Sequence, residues 1–268
     1  MEDRMHKIFF GSDSYDTPEG GKLSFWEKLL SHNQVFFILN FIHMVFRSRK
    51  QAITGRYDDK AWAESSYYIF KFIEKTGGKF HISGMEHIAE SPEPVVFIGN
   101  HMSTLETMIL PVIIAPRRSV TYVVKESLVR HPFFRDVMKS RNPIVVGRTD
   151  PRKDLEAVMN GGMELLSKGI SIIIFPQSTR SLEFKPEDFN SLGVKLAKKT
   201  GVKIVPIALK TDFWGHGKII KELGPVDSSK PIYIKFGEPF YVEGSGREEN
   251  QRIIEFITSS LKKWGKIL

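Results

Sequence analysis

The chain contains no cysteine. That excludes disulfide stapling, thiolate metal ligands and a cysteine nucleophile. It also has no G-x-S-x-G elbow, no H-E-x-x-H, no Walker P-loop and no Rossmann glycine fingerprint, which argues against a serine acyl-enzyme, a zinc hydrolase and a nucleotide-dependent step. GHGK at Gly215–Lys218 lacks the P-loop frame and reads as a turn. Long apolar runs are missing too: VFFILNFIHMVF, residues 35–46, is broken by Asn40 and His43, and falls short of the roughly 20 apolar residues that cross a bilayer. No internal repeat, low-complexity tract or interdomain linker divides the 268 residues, of which 41% are hydrophobic, so one large core is expected. Lys plus Arg exceed Asp plus Glu by 39 to 31. This surplus suits anionic partners, whether phosphorylated metabolites or an acidic lipid surface, and nucleic acid has nothing beyond the charge in its favour.

Residues 1–22 are polar and Gly-rich with no apolar core, and are expected to be a loose arm rather than a secretory signal. Residues 23–76 read as a two-helix hairpin. Phe25, Trp26, Leu29 and Leu30 recur at helical spacing and lead into the apolar run, which ends on Arg47, Arg49 and Lys50. A polar connector, Gln51–Lys60, is followed by AWAESSYYIFKFIEK, where Trp62, Tyr67, Tyr68, Phe70, Phe72 and Ile73 oppose Glu64, Lys71, Glu74 and Lys75. Two readings compete: these rings pack as core, or they face a membrane. Their density beside basic residues favours a hairpin lying in one leaflet of an anionic membrane.

Residues 77–268 have the texture of an α/β domain, a central mostly parallel sheet covered by helices. Short β-rich stretches at 79–83, 95–99, 119–124, 144–146, 171–175, 203–208 and 232–236 alternate with helical periodicity at 104–114, 133–140, 154–167, 191–199 and 248–264. In such folds the chemistry gathers beyond the carboxyl ends of strands. At the first such end stands GNHMSTLE, with His101 leaving the strand and Glu106 on the opening turn of the next helix. A carboxylate on one imidazole nitrogen fixes the tautomer and frees the other nitrogen to take a proton. Ser103-x-x-Glu106 is equally a capping box, in which Glu106 reaches back to its own helix.

Other strand ends carry cations: Arg148 after 144–146, Arg180 in Pro176-Gln177-Ser178-Thr179-Arg180-Ser181, and Lys125 after 119–124. A guanidinium fork suits a bidentate phosphate, and Ser178 and Thr179 add hydroxyl and amide donors. Singly each is an ordinary solvated charge; three on one edge beside a candidate base point to an anionic substrate.

NHMSTLE, NPIVVGR, FPQSTRS and VPIALK, in this order, resemble the four sequence blocks of the glycerolipid acyltransferases, the family containing the 1-acylglycerol-3-phosphate acyltransferases; KESLVRHPFF, with Lys125, is also similar. The resemblance covers roughly residues 80–240. It implies that His101 is the general base, that Glu106 orients it, and that Arg148, Arg180 and Lys125 hold an acceptor phosphate. It further implies transfer from acyl-CoA or acyl carrier protein to 1-acylglycerol-3-phosphate, with no metal or organic cofactor, at the cytoplasmic face of a membrane. The chain departs from the family at Glu106, where Asp is usual, at Gln177 and Ser178, where Glu and Gly are usual, and at Asn142, where Gly is usual. Gln177 and Ser178 fall in the block that reads the acceptor, so another lysophospholipid, an acyl hydrolase and a non-catalytic membrane-binding module stay open.

Overall fold

A computed structural model describes residues 5, 9, 11–19, 34–177, 179–217 and 224–266, with backbone alone at 34–36. In chain order these form β1 (Ser14–Asp16), α1 (Gln34–Ile53), α2 (Asp59–Lys75), β2 (Phe80–Ser83), β3 (Val96–Gly99), α3 (Leu105–Ile114), β4 (Val120–Lys125), α4 (Glu126–Arg130), α5 (Arg135–Ser140), β5 (Ile144–Val146), α6 (Pro151–Ser167), β6 (Ser171–Ile174), α7 (Leu192–Thr200), β7 (Ile204–Lys210), β8 (Ile232–Phe236) and α8 (Arg247–Lys263). The strands make one sheet ordered β1-β2-β8-β7-β3-β6-β4-β5. It is mixed: the β1–β2 and β7–β8 pairs are antiparallel, and the other pairs are parallel.

Apolar residues on both strand faces explain the layering. In β3, Phe97 joins a core shared with α1, α2 and α3, while Val96 and Ile98 join a second core with α6, α7 and α8. The helices start where the sequence provides caps: Asp58 accepts from the Ala61 amide to open α2, and Asp150 accepts from Arg152 and Lys153 ahead of Pro151 in α6.

Two expectations change. The arm at 1–22 is not loose throughout, because Ser14–Asp16 pairs with Ser83–His81 as an edge strand. Tyr15 and Thr17 anchor it by donating to Glu74 of α2 at 2.6 and 2.8 Å. Most of this α2 face is core: Trp62, Tyr67, Phe70, Phe72 and Ile73 are buried, Tyr68 is half-buried, and Phe70 stacks on Phe80 with centroids 4.0 Å apart. The sheet offers a larger dry surface than a leaflet edge, and burying each such ring contributes roughly 1.5–3 kcal/mol. Phe25, Trp26, Leu29 and Leu30 lie outside the described residues.

Docking of α2 also repairs a break in α3. Pro111 interrupts that helix, and Ser66 of α2 inserts its hydroxyl there, donating to the Met108 carbonyl and accepting from the Val112 amide at 3.0 Å.

Candidate active site

The turn after β3 brings its polar residues inward because each has a partner there. Asn100 pairs its amide with the backbone of Leu209 in β7, donating to the carbonyl and accepting from the amide. His101 follows, with its backbone amide donating to Gln177 Oε1 at 2.7 Å and its carbonyl accepting from Ser181. Its ring stacks on Phe175, with centroids 4.5 Å apart and planes within 5°. Nδ1 lies 2.9 Å from Glu106 Oε1. As the carboxylate only accepts, Nδ1 carries the hydrogen, and Nε2, which has no hydrogen bond among the described residues, is left as the basic nitrogen.

Glu106 is fully buried. Its Oε1 also accepts from the Met102 and Ser103 amides at 2.7 and 2.8 Å, and its Oε2 from Thr211 Oγ1 at 2.6 Å and Ser103 Oγ at 3.0 Å. The capping box and the His–acid pair are therefore one arrangement: the carboxyl turns back to its own helix opening and holds the imidazole with the same oxygen. The Ser103 amide is therefore spent on Glu106 and cannot serve a developing oxyanion. Burial pushes Glu106 up, but the hydrogen bond and charge of His101, with Thr211 and Ser103, outweigh it and hold the carboxyl below its ordinary range. Burial likewise lowers His101; Glu106 works against that, and the Arg180 and Arg148 charges add to it.

The His101 side chain retains 12% exposure, and it faces a cavity of about 480 Å³. The cavity is lined by Lys125, Arg148, Thr179, Arg180 and His216 and by the apolar side chains of Met44, Val45, Trp62, Met108, Leu128, Phe134 and Val137. Arg180 donates to Thr104 Oγ1. Arg148 sits in left-handed backbone at φ +61°, a position costly for a side chain with a Cβ. It is held there by Asp154 at the start of α6, which accepts from the Gly147 and Arg148 amides at 2.8 and 2.9 Å. Burial lowers the Arg148 guanidinium, with Asp154 opposing and Arg180 adding to the effect.

Of the residues expected at the site, His101, Lys125, Arg148, Thr179 and Arg180 line one cavity, with Glu106 directly behind His101. Gln177 differs: it is 4% exposed, its Oε1 accepts from the His101 amide, and it is not among the residues lining the cavity. Ser178 and Lys218 lie outside the described residues. Thr211, Asp154, Phe175 and His216 were not read as site residues. Thr211 directly follows β7, and the strand-end rule would have found it. His216 Nε2 lies 2.9 Å from the Met102 carbonyl, a contact across more than a hundred positions that no local pattern signals.

A helix-covered mixed α/β sheet thus carries a His–carboxylate pair at its strand ends beside a cavity lined by both cationic and apolar side chains. Residues 79–210 match the family model described as Acyltransferase. It is 27% identical over 205 residues, 75% of each protein, to the 1-acyl-sn-glycerol-3-phosphate acyltransferase of Pseudomonas aeruginosa. It is 32% identical over 161 residues to the chloroplastic 1-acyl-sn-glycerol-3-phosphate acyltransferase of Arabidopsis thaliana, a match spanning 60% of this chain and 41% of that relative's length. The crystal structure of the 1-acyl-sn-glycerophosphate acyltransferase PlsC of Thermotoga maritima shares the fold, with a TM-score of 0.63 over 91% of this chain and 98% of that one at 20% identity.

Proposed function

We propose that this chain moves a fatty acyl group from acyl-CoA or acyl carrier protein to the free hydroxyl of 1-acylglycerol-3-phosphate, giving phosphatidic acid. The observation that carries this reading is the His101–Glu106 pair facing a cavity lined both by the cations Lys125, Arg148 and Arg180 and by apolar side chains. With both substrates bound, His101 Nε2 takes the hydroxyl proton as the oxygen attacks the thioester carbonyl; the C–O bond forms, the C–S bond breaks, and the thiol leaves with the proton from the imidazolium. Lys125, Arg148 and Arg180 hold the phosphate, and Thr179 adds a hydroxyl beside them. The Ser103 hydroxyl is engaged with Glu106 and Thr211, which favours direct transfer over an acyl-enzyme on that serine.

The same reading seats the protein on a membrane by α1. Leu39, Phe46 and Ile53 recur every seven residues and are exposed, Phe46 meets exposed Phe133 edge-on at 5.9 Å, and Arg47 and Lys50 are exposed beside them. Such a stripe fits one leaflet of an anionic bilayer. Among the described residues no helix is long and apolar enough to cross a membrane. The hairpin is thus amphipathic in a narrower sense than its composition suggests: α2 faces the core and α1 offers the apolar ridge.

The test is a panel of lysolipids with and without phosphate, offered with labelled acyl-CoA and acyl carrier protein to wild type and His101→Ala. Phosphate-dependent diacyl product from wild type alone is expected. Free fatty acid in its place identifies a hydrolase, and vesicle binding with no turnover identifies a binding module.

A further inference from the structure

We propose that Asp154 is a positioning residue for the anionic acceptor: by fixing the backbone of Gly147 and Arg148 from a docked helix, it sets the Arg148 guanidinium in the cavity wall. The proposal rests on the acyl-transfer reading above, in which Arg148 holds the acceptor phosphate.

Arg148 and Asn142 are the non-glycine residues with positive φ among the described residues. Asparagine has a short polar side chain that can bond its own backbone there; arginine has none, and the left-handed region crowds its Cβ against the following carbonyl. Such a conformation persists only where the surroundings impose it.

Here one carboxylate imposes it. Asp154 Oδ1 accepts from the Gly147 amide at 2.8 Å and Oδ2 from the Arg148 amide at 2.9 Å, so two successive peptide units are pinned by the two oxygens of a single side chain. Asp154 is itself anchored. It lies in the first turn of α6, where its own amide donates to the Asp150 carbonyl at 3.0 Å. That helix buries Val158, Leu165 and Leu166 in the same core as Ile144 of β5, and its Gly161 lies so near Ile144 that a Cβ would stand 3.3 Å from it. The placement of Arg148 is therefore inherited from the sheet through α6, although the arginine sits in a loop.

The guanidinium belongs to the site: Arg148 lines the cavity with His101 and Arg180, and its charge acts on His101. Asp154 works against the burial that lowers Arg148 and so helps to keep it cationic. Without its two acceptors the turn has nothing to keep φ positive. Relaxing to negative φ changes the direction in which the Cα–Cβ bond leaves the chain, which carries the fork away from an acceptor phosphate. A fork fixed in advance loses less freedom when it binds.

The experiment measures kcat and KM for 1-acylglycerol-3-phosphate, with palmitoyl-CoA as donor, in wild type, Asp154→Asn, Arg148→Ala and the double variant, with Asp154→Ala and thermal melts alongside. Asparagine keeps the size of the side chain but has one acceptor oxygen for two amides and sets an N–H against the second. Asp154→Asn is expected to raise KM about tenfold, the scale of one hydrogen bond to a charged group, while kcat falls by less than about threefold. In the Arg148→Ala background the same substitution is expected to raise KM no further, because the residue it acts through is gone. An Asp154 that served only the fold would give effects that multiply. Multiplying effects, a fall in kcat larger than the rise in KM, or loss of fold in both Asp154 variants overturns the inference and leaves acyl transfer standing. An Arg148→Ala enzyme with wild-type KM overturns the phosphate assignment and the inference with it. No diacyl product from wild type overturns acyl transfer and the inference together.

Discussion

Glu106→Gln removes one charge from the centre of the site and almost no volume. The carboxylate receives the Nδ1 hydrogen of His101, the Met102 and Ser103 amides on Oε1, and the Thr211 hydroxyl on Oε2. A glutamine keeps an oxygen for the first three, and its amide nitrogen can donate to the Thr211 and Ser103 hydroxyls, so the turn stays folded. What is lost is the stabilisation of the imidazolium that forms as the acceptor loses its proton. For unit charges about 4 Å apart at an effective dielectric near 20 this is roughly 4 kcal/mol, or about a thousandfold in kcat. The pH profile moves as well. His101 is already held below its ordinary value by burial, against which Glu106 works, so removing Glu106's charge lowers it further. The acid limb of kcat/KM, where the base becomes protonated, is then expected at lower pH in the variant. Stopped-turnover assays from acid to neutral pH, with thermal melts to verify folding, measure both effects. A variant that keeps more than about a tenth of wild-type kcat, with an unmoved acid limb, refutes the assignment of Glu106 to the imidazolium.

Arg180→Ala and Arg148→Ala are each expected to raise KM for phosphorylated lysolipid about tenfold or more and to leave unphosphorylated acceptors little changed; equal losses for both remove the phosphate assignment. Leu39→Ser, Phe46→Ser and Ile53→Ser combined are expected to weaken binding to anionic vesicles at least tenfold without lowering the melting temperature, since all three are exposed, and a co-flotation assay reads this directly. Ser66→Ala is expected to cost about 1–3 kcal/mol in urea unfolding, because the Val112 amide loses its buried acceptor beside Pro111. Both members of the pair are depressed in the folded protein. The unfolded chain therefore takes up protons first, and stability is expected to be lost as pH falls below the ordinary histidine value near 6.5 and further below the carboxylate range. Urea midpoints across that interval, compared with Glu106→Gln, check the sign.

Much of this was legible in the residues because their signals are local. The seven strands read from residue 79 onward coincide with β2 to β8 within a residue or two, since short apolar runs bounded by Gly, Pro or charge leave few alternatives. The five helices read after residue 100 coincide with α3, α5, α6, α7 and α8 for the same reason. Strand β1 escaped because Ser-Tyr-Asp has no alternation long enough to register; its pairing comes from an open sheet edge and from Glu74, nearly sixty residues away. The α2 rings were open to two readings because an aromatic stripe has the same composition whether it meets a leaflet or a sheet. Only the packing of Phe70 on Phe80 chooses between them.

The sequence by itself determined the order of elements, the positions of His101 and Glu106 at a strand end, and the cations grouped on the same edge, because spacing along a strand or helix sets those directly. Tertiary structure alone decided the tasks of individual polar groups. Glu106 serves His101 and two amides at once, Gln177 faces the backbone and not the cavity, and Thr211 arrives from the end of β7. Hydrogen bonds between residues a hundred positions apart depend on how strands are ordered in the sheet, and a buried polar atom's role depends on which partner reaches it first.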